Sequence, residues 1–370
     1  MSVPLVDLRA QQEEIDDEVR AGLAEVFAKT AFIGGPAVGE FEKAYADTMG
    51  IAHCVGVANG TDALELALRA VGVGRDDEVI LPANTFIATA EAVSRIGARP
   101  VLVDVDPEFL LIDPAKVEEA ISTRTRAVIP VHLFGQTAPV EQLTPLAEAY
   151  GAVIVEDAAQ SQGATRFGQP AGGLGAVAGT SFYPGKNLGA AGDAGAVLTN
   201  DPEIAARVRT LSAHGSDRKY VHDLIGVNSR LDTVQAVVLL AKLRRLARWN
   251  DERRQAAHRY GEMLRDVPGV QLPPVAPGNQ DVWHLYVIRV DERNRVLEEL
   301  QAAGIGAGIH YPFPVHLTKA YADLGLPRGS FPVAEGAADR ILSLPLYPHI
   351  TKNQQQHVLD SLRAAVRGRQ

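Results

Sequence analysis

Lys186 and Asp157 are the residues whose type and placement could do chemistry. The lysine lies in Gly179-Thr180-Ser181-Phe182-Tyr183-Pro184-Gly185-Lys186-Asn187-Leu188-Gly189, a turn punctuated by glycine and proline. It follows a short apolar segment and precedes the strand-like run Ala196-Val197-Leu198-Thr199. A lysine held between two strands loses hydration and its pKa falls. Its neutral amine then becomes a nucleophile able to form a Schiff base. The plain alternative is a loop lysine that caps carbonyls. Asp157 ends Ala152-Val153-Ile154-Val155-Glu156-Asp157, which reads as a buried parallel strand. Ligands bind at that edge of open α/β sheets. An aspartate there is open to three readings: a helix N-cap, a metal ligand, or the partner of a cofactor's ring nitrogen. Lying about 30 residues before a turn lysine, it suits pyridoxal phosphate, which needs a lysine Schiff base and a carboxylate that keeps its pyridinium protonated.

The elements that must position this pair alternate along the chain. The strand His53-Cys54-Val55-Gly56-Val57 leads through Ala58-Asn59-Gly60-Thr61-Asp62 into a helix from Ala63 to Ala70. Backbone amides and the helix dipole converge there on an anion, unless Thr61 or Asp62 is an ordinary N-cap. Strands at 78–81, 100–104 and 127–131 then alternate with helices at 86–96, 114–122 and 140–150. That alternation means βα units and a mostly parallel sheet. The strand ends deliver Phe86, His132 and Asp157. Phe86 is either core or a platform for a flat heteroaromatic ring. Helices are expected over 9–29 and 39–49 before the first strand, and two more over 202–213 and 233–264. The polar stretch 214–230 is too long for an economical connection and suggests function or an interface. From about Val267 the character changes, with a strand over 281–290, a helix over 293–303, a strand over 341–346 and a terminal helix. The expected division is a large unit, 1–240, and a small α+β unit, 241–370, linked through the helix at 233–264. His284 reads as structural. His310 and His316 flank Tyr311-Pro312-Phe313-Pro314, a loop that could line a cleft between the two.

Composition removes other classes. A chain of 370 residues with 46% hydrophobic and 22% charged content suits a globular enzyme. A net charge of −9 argues against nucleic acid or an anionic membrane as partner. Cys54 is the only cysteine, which excludes an internal disulfide, and the histidines lack zinc spacing. Neither nucleotide-binding glycine motif is present. Asp7, Glu13, Glu14, Asp16 and Asp17 are foreign to a signal or transit peptide, and no apolar run approaches membrane length. The expectation is a soluble cytoplasmic enzyme that holds no metal.

Asn59-Gly60-Thr61, Thr85-Phe86, Glu156-Asp157-Ala158-Ala159-Gln160, Ser181-Phe182-Tyr183-Pro184-Gly185-Lys186-Asn187 and Asn228-Ser229-Arg230-Leu231-Asp232 occur in this order. With them the chain resembles the DegT/DnrJ/StrS sugar aminotransferases, from about Pro4 to the C-terminal helix. The resemblance implies the pyridoxal phosphate-dependent transferase fold, type I: an α/β large domain with a mostly parallel seven-stranded sheet, plus a small C-terminal α+β domain. It also implies roles. Lys186 would be the Schiff-base lysine and the acid/base, and Asp157 would pair with the pyridinium nitrogen. Gln160 would bond near the ring hydroxyl, and Phe86 would stack on the ring. Gly60, Thr61 and Ser181 would hold the phosphate, and Asn228 would reach the phosphate of the neighbouring subunit in a homodimer. Tyr183, His310 and Tyr311 would face the sugar nucleotide.

Many members that aminate C-4 carry histidine three residues before the lysine. Tyr183 at that position looks like the subgroup acting on nucleoside diphosphate-linked 3-keto-6-deoxyhexoses. The presence of Lys186 disfavours the branch that dehydrates without transamination. The function implied is transfer of an amino group from glutamate or glutamine to C-3 of a keto sugar, such as a dTDP-3-keto-6-deoxyhexose, in deoxyamino sugar and antibiotic biosynthesis. The alternatives are a C-4 or ketocyclitol aminotransferase, or a non-catalytic regulator that binds the cofactor.

Overall fold

Apolar runs without alternation need cover on both faces, and helices supply it on either side of one sheet. The computed structural model describes residues 1–367. Its strands run in chain order β1 (His53–Val57), β2 (Glu78–Pro82), β3 (Arg99–Val103), β4 (Thr125–Val128) and β5 (Val153–Asp157). The short pair β6 (Thr165–Arg166) and β7 (Gln169–Pro170) comes next, then β8 (Val177–Ser181) and β9 (Gly195–Thr199). The later strands are β10 (Val270–Gln271), β11 (Asn279–Gln280), β12 (Tyr286–Val290) and β13 (Ile341–Leu344). The main sheet has seven strands in the order β1-β9-β8-β5-β4-β2-β3. Only β9 runs against its neighbours, so the expected mostly parallel sheet is found.

Helices α1 (Leu8–Glu13), α2 (Asp16–Lys29) and α3 (Pro36–Met49) precede the sheet. Its connections include α4 (Gly60–Ala70), α5 (Ile87–Arg95), α6 (Pro114–Ala120), α7 (Val140–Ala149) and α8 (Pro202–Ser212). Helix α9 (Thr233–Leu264) follows, then α10 (Arg293–Ala302), α11 (Pro332–Arg340) and α12 (Lys352–Arg367) around the sheet β10-β12-β13. At 1.5 Å per residue α9 spans about 48 Å and serves two cores. Its first half packs Leu239, Leu243 and Leu246 with Phe41, Phe182 and Leu188. Its second half packs Ala256, Tyr260 and Leu264 with Tyr286, Ile288 and Leu342.

Among the departures from the sequence reading, four have a local reason. The helix expected over 9–29 breaks at Ile15, which leaves helical geometry to bury its side chain. The cap of α4 is Asn59, whose side chain accepts from the Asp62 N–H at 2.8 Å, not Thr61 or Asp62. Strand β4 stops at Val128, two residues before Pro130, which has no N–H for a ladder. The strand expected from Asp281 begins only at Tyr286, because Trp283 has a φ of 49° and the segment crosses another loop.

Two polar contacts join the sheets. Asp104, just beyond β3, accepts from Val333 N and Ala334 N at 2.9 Å each, capping α11 from outside its own helix. Arg289 on β12 donates to the carbonyls of Pro107 and Glu108 at 2.7 Å each.

The sheet register sets the site. Asp157 pairs with Gly179, so the end of β5 lies beside β8. A Cβ on Gly179 would stand 2.9 Å from Leu64, so α4 lies directly on β8. Gly179→Ala is therefore expected to cost about 1–3 kcal/mol through overpacking, read as a lower denaturant midpoint at unchanged slope.

Candidate active site

Alternation along the end of β8 sends successive residues to opposite sides. Phe182 is fully buried, edge-on to Phe41 at 5.3 Å and to Tyr45 at 5.2 Å between ring centroids. Tyr183 is 60% exposed on the other side. The chain then turns, with the Lys186 N–H donating to the Tyr183 carbonyl at 2.8 Å, and Asn187 and Leu188 return to the interior. Lys186 is thus held between buried anchors. Burial lowers its ammonium to about 8, with the nearby charge of Asp157 acting in the opposite direction.

Asp157 sits at the end of β5, nearly buried. Its Oδ2 accepts from Thr89 Oγ1 at 2.7 Å, and its Oδ1 accepts from the Ala159 N–H at 3.2 Å. Because Thr89 gives its proton to the carboxylate, Thr85 donates to Thr89 at 2.8 Å. Glu156, one residue earlier, points to the other face of the strand. It accepts from Gly172, Leu174 and Gly175 N–H groups and from His132 Nε2 at 2.7 Å. His132 Nδ1 accepts from the Ala138 N–H, so this ring is neutral and structural. Sequence reasoning placed His132 at a strand end but missed Glu156 and Thr89 as partners.

Gln160 is buried beyond Asp157. Its Oε1 accepts from the Phe134 N–H at 2.7 Å, so its amide donates towards Tyr311 Oη at 3.0 Å. Tyr311 in turn lies against Phe86, with ring centroids 5.3 Å apart. Phe86 is 51% exposed, which removes the core reading. Burial and the charge of Asp157 raise the Tyr311 hydroxyl well above its ordinary value, so it stays protonated. His310 is fixed by Ser343 Oγ on β13 at 2.8 Å, and burial with the charge of Lys186 lowers its pKa. His316 does not join them. It is buried on Glu335 at 3.0 Å.

At the opposite end of the group, the first turn of α4 meets the end of β8. A Cβ on Gly60 would stand 2.6 Å from the Ser181 Cβ, so only glycine lets the helix start come this near. The first amides of a helix have no intrahelical partner, which leaves Gly60 and Thr61 N–H for an anion. Ser181 Oγ accepts from the Tyr183 N–H at 3.2 Å and keeps its own proton to donate. Asn228 is exposed in the single chain. Its neighbour Ser229 is buried, accepting from Ala58 N and donating to Asp62 Oδ2 at 2.8 Å, so the 214–230 loop is moored to the start of α4. That loop exposes Tyr220 at 83% and Ile225 at 90%. Among the described residues no group of three His, Cys, Asp or Glu could hold a metal ion, and no helix is long and apolar enough to cross a membrane.

A desolvated amine, a carboxylate across from it and an anion cradle left by a missing Cβ fit a pyridoxal phosphate: its aldehyde carbon, ring nitrogen and phosphate in turn. The model of the DegT/DnrJ/EryC1/StrS aminotransferase family matches residues 13–363. The chain is 48% identical over 364 residues to the erythromycin biosynthesis sensory transduction protein EryC1 of Saccharopolyspora erythraea, covering 98% of this chain and 100% of that protein. It is 46% identical over 361 residues to a dTDP-3-amino-3,4,6-trideoxy-α-D-glucose transaminase of Streptomyces venezuelae, covering 98% and 95%. Among solved structures, S. venezuelae DesV in complex with a ketimine intermediate superposes with a TM-score of 0.96 at 46% identity, covering 98% of each chain. Fold and site together define a pyridoxal phosphate-dependent aminotransferase. The chain belongs to the DegT/DnrJ/EryC1/StrS family.

The pKa of Lys186 gives a direct check on cofactor-free protein. Peptide-resolved acylation of Lys186 is expected to reach half its maximal rate near pH 8, well below surface lysines. Asp157→Asn removes an attractive charge and is expected to move that midpoint lower still.

Proposed function

We propose that this chain transfers an amino group from glutamate or glutamine to C-3 of a dTDP-linked 3-keto-6-deoxyhexose, in the making of a deoxyamino sugar. The carrying observation is a lysine lowered to about 8 by burial opposite Asp157, with Tyr183 open to solvent three residues before it. The product named for the S. venezuelae transaminase, which carries its amino group at C-3, supports the choice of carbon.

When bound, pyridoxal phosphate supplies the electron sink that stabilises negative charge at the carbon bearing nitrogen, and it carries the amino group between the two substrates. The chain supplies the rest. Burial shifts Lys186 towards its neutral amine, so its Nζ is fitted to act as a nucleophile and then to take or return a proton. Asp157, anchored by Thr89 and Ala159, would hold a proton on the ring nitrogen. Gln160 would bond near the ring hydroxyl, with Phe86 as the ring's platform. Gly60, Thr61 and Ser181 would take the phosphate. Tyr183, His310 and Tyr311 would orient the sugar nucleotide in a cleft between a large unit, 1–240, and a small one, 241–370.

In this reading the protein is a homodimer, with Asn228 of each copy serving the other's phosphate. The exposed apolar residues of its loop support an interface there. A cytoplasmic location suits the free thiol of Cys54.

The experiment is the visible spectrum of the holoenzyme before and after glutamate or glutamine, followed by product analysis with C-3 keto, C-4 keto and ketocyclitol acceptors. Bleaching by an amino donor and recovery of colour only with the C-3 ketone is the expected result. Recovery with another acceptor would reassign the substrate. Lys186→Ala is expected to lower turnover by at least about 10³-fold while still retaining pyridoxamine phosphate on dialysis. Mixed subunits test the shared site. Lys186→Ala and Asn228→Asp proteins should each be nearly inactive, yet unfolding and refolding them together should restore about a quarter of wild-type activity through one intact site per hybrid dimer.

A further inference from the structure

The residue after the lysine is fixed more firmly than the lysine itself. Asn187 donates its side-chain N–H groups to Asn250 Oδ1 on α9 and to the Val282 carbonyl, each at 2.9 Å. Its Oδ1 is therefore only an acceptor, and it lies 3.2 Å from His284 Nδ1, which must carry the ring proton. The segment bearing His284 also touches the other half of the site. Val282 N donates to the Gly135 carbonyl and Leu285 N to the Phe134 carbonyl, while Phe134 N holds Gln160. One stretch, 282–285, thus braces both the lysine turn and the Gln160–Tyr311 side.

We propose that His284 is a positioning residue for Lys186, acting through Asn187: its Nδ1–H holds the Asn187 carbonyl and so keeps the lysine turn pressed into its desolvated seat. This rests on the reading of Lys186 as the reactive amine. The groups around His284 are Lys186 from the β8 turn, Arg253 from α9, and His310 from the segment between α10 and α11. Arg253 donates to the carbonyls of Trp283 and Leu346, and Asp281 on His284's own segment accepts from Trp283 N. On the far side Asp157 faces Lys186. Burial above all, with the charges of Lys186, Arg253 and His310 acting the same way, lowers the pKa of His284, so it can brace the turn without adding a positive charge beside the amine.

The test reads the lysine rather than turnover alone. His284→Leu strands the Asn187 carbonyl and should let the turn hydrate, raising the Lys186 acylation midpoint in cofactor-free protein by about one pH unit. In the holoenzyme it should lower kcat about tenfold with little change in the donor KM. His284→Asn restores a neutral donor and should return both readouts to within about threefold of wild type. An unchanged Lys186 midpoint in His284→Leu overturns the proposal, as does a His284→Asn protein no better than His284→Leu. Should His284→Leu fail to fold, nitrogen NMR of histidine-labelled wild type decides instead. A neutral ring protonated at Nδ1 from pH 6 to 9 is expected, and an imidazolium or the other tautomer overturns the proposal. Because the titration needs no substrate, its failure is separate from a failure of the transaminase reading, which would appear as an active Lys186→Ala enzyme.

Discussion

The fold is arranged around a half-buried ammonium group whose burial favours the neutral amine, with one carboxylate acting against that shift. Lowering a lysine from 10.5 to about 8 corresponds to on the order of 3 kcal/mol of differential interaction between its charged and neutral forms. Such a group would turn towards solvent if its backbone let it. Phe182 before it and Asn187 and Leu188 after it are buried in the packing of α3 and α9, and they remove that freedom. The helix that gives the large sheet its cover also gives the lysine turn its floor. Reactivity at Lys186 is in this sense a property of α9 as much as of the turn.

The pleat of β5 does separate work with two adjacent acids. Asp157 faces the amine and carries the charge that acts on it, while Glu156 faces away and gathers three backbone amides and His132. The loop gathered by Glu156 leads into β8, the strand that ends beside Asp157. Two carboxylates next to each other in sequence therefore act on different parts of the molecule, because a strand sends alternate side chains to opposite faces.

How much of this was legible in the sequence depended on the range of the interaction. The alternation of strand and helix, the mostly parallel sheet and the placement of Lys186 and Asp157 near its edge followed from local apolar runs and punctuation. Thr89 escaped notice because a threonine inside a helix has no signature until a carboxylate 68 residues away meets it. Asn187 and His284 are 97 residues apart, and His284 read as structural for want of any sign of its partner. The helix break at Ile15 and the late start of β12 were set by burial and by a crossing segment, neither of which leaves a trace in periodicity. Asn228 is exposed beside the buried Ser229, and a polar run gives the two the same appearance in sequence.

The external cap that Asp104 provides for α11 has a mechanical consequence. With the two carbonyl contacts of Arg289, it latches the small sheet onto the loops beyond β3. Apolar packing crosses the same join, since Leu285, Val287, Ala334 and Ala337 belong to the core of the large sheet. The small sheet is thus held against the end of β3 by polar and apolar contacts together.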